Sequence, residues 1–93
     1  MGGGVMKLDY FGNDRYKVLS HLHSISEVHK GEYYFRTNQQ EIANESGFSK
    51  QKVNIIMQDF QTQGLIELIT KNHGTYHLTK KAVKALHIFE KEI

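Results

Sequence analysis

The stretch Thr37-Asn38-Gln39-Gln40-Glu41-Ile42-Ala43-Asn44-Glu45-Ser46-Gly47-Phe48-Ser49-Lys50-Gln51-Lys52-Val53-Asn54 decides how the rest of the chain is read. Thr37 with Gln40 three residues on has the pattern of a capping box, which predicts a short helix over 38–46. Ile42 and Ala43 form its small apolar face. Gly47 breaks that helix, because glycine accepts the positive φ that a sharp turn between helices requires. Phe48 plugs the corner, and Ser49 is placed to cap a longer helix through 63. On that second helix Val53, Ile56, Met57 and Phe60 recur at spacings of three and four, one continuous buried face. Gly64 stops it. The segments 65–69 and 75–78 then flank a polar tip, Lys71-Asn72-His73-Gly74, as a β-hairpin.

Upstream, Val18, Leu22 and Ile25 recur at helical spacing, with Leu19 and Val28 widening the stripe, and predict a helix over 14–29 capped by Asn13 or Asp14. Lys30-Gly31-Glu32 is expected to end it. Tyr33-Tyr34-Phe35-Arg36 suits a strand that pairs with the later hairpin into a three-stranded sheet. Downstream, Thr79 is expected to cap a last helix running to Ile93. The expected fold is mostly α with a small β-sheet, in the order helix–strand–helix–helix–strand–strand–helix. Residues 1–12 read as a flexible leader or tag remnant, with Met6 an alternative start, and 13–93 as one domain.

Ninety-three residues provide for one small domain. With no cysteine, disulfides, thiol chemistry and cysteine-based zinc sites are excluded. No apolar run approaches the ~20 residues of a membrane span, and a cytoplasmic protein without a membrane partner is expected. The net charge of +2 is unevenly spread. Residues 1–45 hold five Lys/Arg against six Asp/Glu, whereas 46–89 hold six Lys against Asp59 and Glu67. The second helix and the hairpin therefore lie in the basic half, where a phosphate-facing surface belongs.

Two helices meeting around a turn glycine form the unit that sets its second helix into the major groove of DNA, and a hairpin behind them gives the winged version. The segment 40–54, together with Phe60-Gln61-Thr62-Gln63-Gly64-Leu65-Ile66 and Leu78-Thr79-Lys80-Lys81-Ala82, resembles the MarR-like winged helix-turn-helix regulators. That resemblance covers about the last sixty residues. It implies a winged-helix fold and sequence-specific binding to double-stranded DNA, most simply by a small dimeric transcriptional regulator. Two other uses of the same fold stay open: a protein–protein interaction module, and a DNA-binding adaptor in plasmid or phage partition or replication.

The candidate DNA-binding residues are Ser49, Lys50, Gln51, Lys52, Asn54 and Gln58 on the second helix and Lys71, Asn72 and His73 on the wing. Amides such as Gln51 and Asn54 can pair with adenine, and lysines can donate to guanine or phosphate. Where this family often carries arginine, the chain has Ile55, Gln58 and Asp59, which implies a weaker electrostatic component and a shallow salt dependence. The final helix holds more apolar residues than one face needs. Leu19, Val28, Val83, Leu86, Ile88, Phe89 and Ile93 are therefore the expected seam of a homodimer. A small-molecule effector has no residue pattern to support it and would have to sit at that seam.

The remaining features have plain explanations. His21 and His23 point to different helix faces, His73 and His77 lack a third ligand, and no metal site or cofactor is expected. Tyr33 and Phe35 alternate with Tyr34 and read as bulk wedged between helices rather than a base-stacking platform. Lys80, Lys81 and Lys84 fit a solvated helix face. No carboxylate pair, nucleophile–base pair or phosphate-binding glycine loop is recognisable, so no catalytic residue is named.

Overall fold

The computed structural model describes residues 3–70 and 74–92, with side chains for 14–69, 74–88 and 90. The chain runs α1 (Gly3–Ile25), β1 (Glu27–His29), β2 (Glu32–Arg36), α2 (Gln39–Ser46), α3 (Lys50–Thr62), β3 (Ile66–Thr70), β4 (Thr75–Leu78) and α4 (Lys80–Glu92). The expected order holds, with one addition and two shifted caps.

The addition is β1. The first helix ends at Ile25, not at residue 29, and the chain reverses through Lys30 (φ 53) and Gly31 (φ 81) into β2. Two successive positive φ values give the tight turn whose twist suits a two-residue hairpin. Val28 follows Ile25 at helical spacing, yet it also alternates with Glu27 and His29. The hairpin turn and the adjoining aromatic strand favour the second pattern. The first helix also begins at Gly3, ahead of the cap expected at Asn13 or Asp14.

The strands form one antiparallel sheet in the order β1-β2-β4-β3. In register, Tyr33, Leu78 and Ile66 share the row facing the helices. Phe35 and Tyr76 stack in the next row, with centroids 5.1 Å apart. The opposite face carries Glu27, Tyr34, His77 and Glu67 in one row. Period-two alternation thus separates an apolar inner face from a polar outer one.

The helices close over the inner face. Val18, Leu19 and Leu22 of α1 are fully buried in one core with Val53 and Phe60 of α3 and Ala82 and Leu86 of α4. Each such side chain stabilises the fold by about 1.5–3 kcal/mol relative to exposure. Leu19 and Leu86 are therefore core residues of the single chain, and the seam expected of them is corrected: α1 and α4 cover each other. Val83 is half-buried against the same core. Val28 and Ile88 stay exposed, at 58% and 43%. The side chain of Phe89, and Ile93, lie outside the described residues.

Candidate nucleic-acid interface

Three local devices orient α3. Asn38 caps α2, its side chain accepting from the Glu41 amide at 2.9 Å. Thr37, expected as the cap, is instead buried against the wing. Its N–H donates to the Gly74 carbonyl (3.1 Å) and its hydroxyl to Glu41 (3.1 Å). Gly47 then takes the left-handed conformation (φ 80, ψ 8) that the turn requires. Ser46 braces this corner, donating to the Ile42 carbonyl and accepting from the Phe48 amide, a role nothing in the sequence singled out. Ser49 caps α3 as expected, accepting from the Lys52 amide at 3.1 Å.

A second set of contacts fixes the rotation of α3. Val53, Ile56, Met57 and Phe60 are buried, so Gln51, Asn54, Ile55 and Gln58 point away from the core. The Arg15 guanidinium on α1 donates to Asp59 at 2.9 Å. Asp59 is thus a strut between α1 and α3, which accounts for an acid where an arginine is common. At the far end Lys81 donates to the Gln63 carbonyl at 2.7 Å, a cation at the negative pole of α3.

The candidate residues do not all behave as expected. Ser49, Lys50, Gln51 and Gln58 are exposed on the outward side. Lys52 turns back instead, pairing with Asp14 and lying 4.4 Å from the centroid of the Phe48 ring. Its ammonium is held against α1 by Asp14, with the side chain still half exposed. Asn54 is half-buried and pre-oriented: its Oδ1 accepts from Gln39 of α2 (2.8 Å) and from Gln58 (3.4 Å). With both lone pairs engaged, Asn54 presents its NH2 as a donor rather than a free two-point adenine clamp. Lys71, Asn72 and His73 lie outside the described residues.

The wing is seated by Gly74. A Cβ there would stand 2.4 Å from the Thr37 carbonyl oxygen. Only glycine allows the hairpin to lie so close to the start of α2.

On the outer sheet face lies a cluster that the sequence did not reveal. His77 Nε2 bonds Glu32 at 2.8 Å and its Nδ1 bonds Glu67 at 3.1 Å, while Lys80 stands 3.7 Å from Glu32. Partial burial disfavours the charged imidazole, but the bonds and charges of Glu67 and Glu32 outweigh it, and the His77 pKa is raised. The bond from His77 holds the Glu32 carboxyl below its ordinary range, with Lys80 assisting against burial. Only the strand register brings these residues together. With a carboxylate on each nitrogen, His77 is a charged bridge rather than a ligand. No group of three His, Cys, Asp or Glu among the described residues could hold a metal ion.

This arrangement of helices, turn and hairpin is the winged helix-turn-helix fold, and solved structures share it. The reduced Fe(II) CO-sensing protein from R. rubrum matches 89% of the chain with a TM-score of 0.71 at 15% identity. The S. aureus MepR–DNA complex matches 95% (TM-score 0.68, 17% identity, 70% of that chain). TubR bound to 24 bp of tubC, from Bacillus thuringiensis serovar israelensis, matches 100% (TM-score 0.68, 21% identity, 97% of that chain). The chain spans 40% of the length of the CO-sensing protein. No protein-family model matches the chain, and a search of curated proteins finds no relative. No helix among the described residues is long and apolar enough to cross a membrane.

Proposed function

We propose that this protein binds double-stranded DNA sequence-specifically, with α3 in the major groove, as a small MarR-like transcriptional regulator. The carrying observation is the outward side of α3. Gln51, Asn54 and Gln58 line it with hydrogen-bonding groups that carry no charge, and Gln39 holds the middle one in place. Side chains of this kind read base edges, while Lys50 at the first turn is placed for phosphate. MepR and TubR were each solved on DNA with the same fold, and the match to TubR runs the length of both chains. A two-fold dimer, pairing two α3 helices with a pseudo-palindromic site, belongs to the proposal and rests on the exposed apolar surface left at Val28 and Ile88.

The test is a titration of the protein against random-sequence duplex, and against a duplex selected from a random pool, at two salt concentrations. Binding that weakens with salt by about −0.9 in log–log slope per neutralised phosphate, and that favours the selected duplex, supports the reading. Absence of binding to either duplex at low salt overturns it in favour of protein docking.

A further inference from the structure

Ile55 is 56% exposed in the middle of the outward side of α3. It plays no part in the core, which α3 reaches through Val53, Ile56, Met57 and Phe60. A lone exposed isoleucine is ordinary on a protein surface. The neighbours of this one set it apart. Gln51 lies one turn before it and Gln58 three residues after it, so an alkyl group is framed by two amides on one helical stripe, with Asn54 beside that stripe.

The edges of base pairs in the major groove display hydrogen-bonding groups and a single kind of methyl, that on C5 of thymine. Against a guanine or adenine edge, Ile55 would strip water from N7 without replacing its bond. Against cytosine it would crowd the amino group. Against thymine it removes apolar surface from water on both sides.

We propose that Ile55 is a specificity-determining residue that reads the 5-methyl group of a thymine, with a flanking glutamine on the neighbouring base. This rests on the reading of α3 as a groove-binding helix. Gln51 and Gln58 are the amides able to pair with adenine in two places, because the carbonyl of Asn54 is already engaged. The preferred half-site therefore contains a thymine beside an adenine.

The experiment uses the full chain and a duplex selected from a random pool. Each thymine is replaced in turn by 2′-deoxyuridine, which removes the methyl and nothing else. At one position per half-site the affinity is expected to fall about fourfold, the effect of one buried methyl-sized group. In Ile55→Ala the same replacement is expected to have no effect, while the thermal melt stays at the wild-type value because the position is exposed. A selected duplex whose uridine series is flat, or an effect that persists in Ile55→Ala, overturns the assignment to Ile55 and leaves DNA binding intact. If no duplex is enriched at all, DNA reading itself fails, and this inference with it.

Discussion

The outward side of α3 and the outer face of the sheet are built on the same core yet use polar residues in opposite ways. On the sheet, Glu32, Glu67, His77 and Lys80 pair with one another across the strands. On α3, the ammonium of Lys52 and the carboxylate of Asp59 are tied to Asp14 and Arg15 of α1. The outward side carries Ser49, Lys50, the amides and one isoleucine, with Lys52 exposed but tied to Asp14. Self-paired charge marks a surface that stabilises the fold. Amides with spare donors and acceptors around an apolar residue mark a surface shaped to read something else.

The contact that joins the two regions is also where the largest loss is expected. Gly74→Val sets a β-branched residue at φ +60 with its Cβ against the Thr37 carbonyl, so the hairpin has to leave the start of α2. A cost of at least about 2 kcal/mol follows, with a fall in melting temperature of roughly 8 °C or more. Gln51→Ala should leave the melt unchanged but cost about 1–3 kcal/mol in DNA affinity if the amide pairs with a base, and relax the preference at one position. Gly47→Val comes next. Nothing lies within 4 Å of a Cβ at Gly47, so only its φ of 80 opposes a side chain, and about 1 kcal/mol is expected. Gly47→Asn should recover part of it, since asparagine tolerates this conformation, and the pair of melts separates conformational strain from steric collision.

The smallest effect concerns the sheet alone. The raised His77 pKa means its bridge stabilises the fold fully below its ordinary value of about 6.5, and that stabilisation is lost as pH rises through the raised one. The lowered Glu32 pKa gives stability present above its ordinary value near 4.5 and lost as pH falls through the lowered one. Stability from the cluster therefore peaks between about 4.5 and 6.5. Melts of His77→Gln should lack the fall that wild type shows as pH rises above about 6.5, with DNA affinity at neutral pH unchanged.

What could be read from the sequence was local. Ser49 and Gly47 act within a turn of their own positions, and the buried stripe of α3 declares itself by spacing. The N-cap of α2 lies one residue past the one expected because Thr37 and Asn38 are both good capping residues, and only Gly74, far along the chain, claims the first. The strand β1 was hidden because Val28 fits two periodicities. The pairing of Lys52 with Asp14, the restraint of Asn54 by Gln39 and the His77 bridge join residues 10–45 positions apart, so no local pattern carries them. Leu19 and Leu86 seemed surplus when each helix was considered alone, and the packing of α1 on α4 absorbs them.

The contrast between the two surfaces is tested most directly by following backbone amide signals while the selected duplex is added to the labelled protein. The outward positions of α3, Lys50, Gln51, Asn54, Ile55 and Gln58, should shift most, with Glu27, Tyr34 and His77 on the outer sheet face nearly still. Shifts concentrated on the sheet face, with α3 silent, would contradict the assignment of α3 as the reading surface.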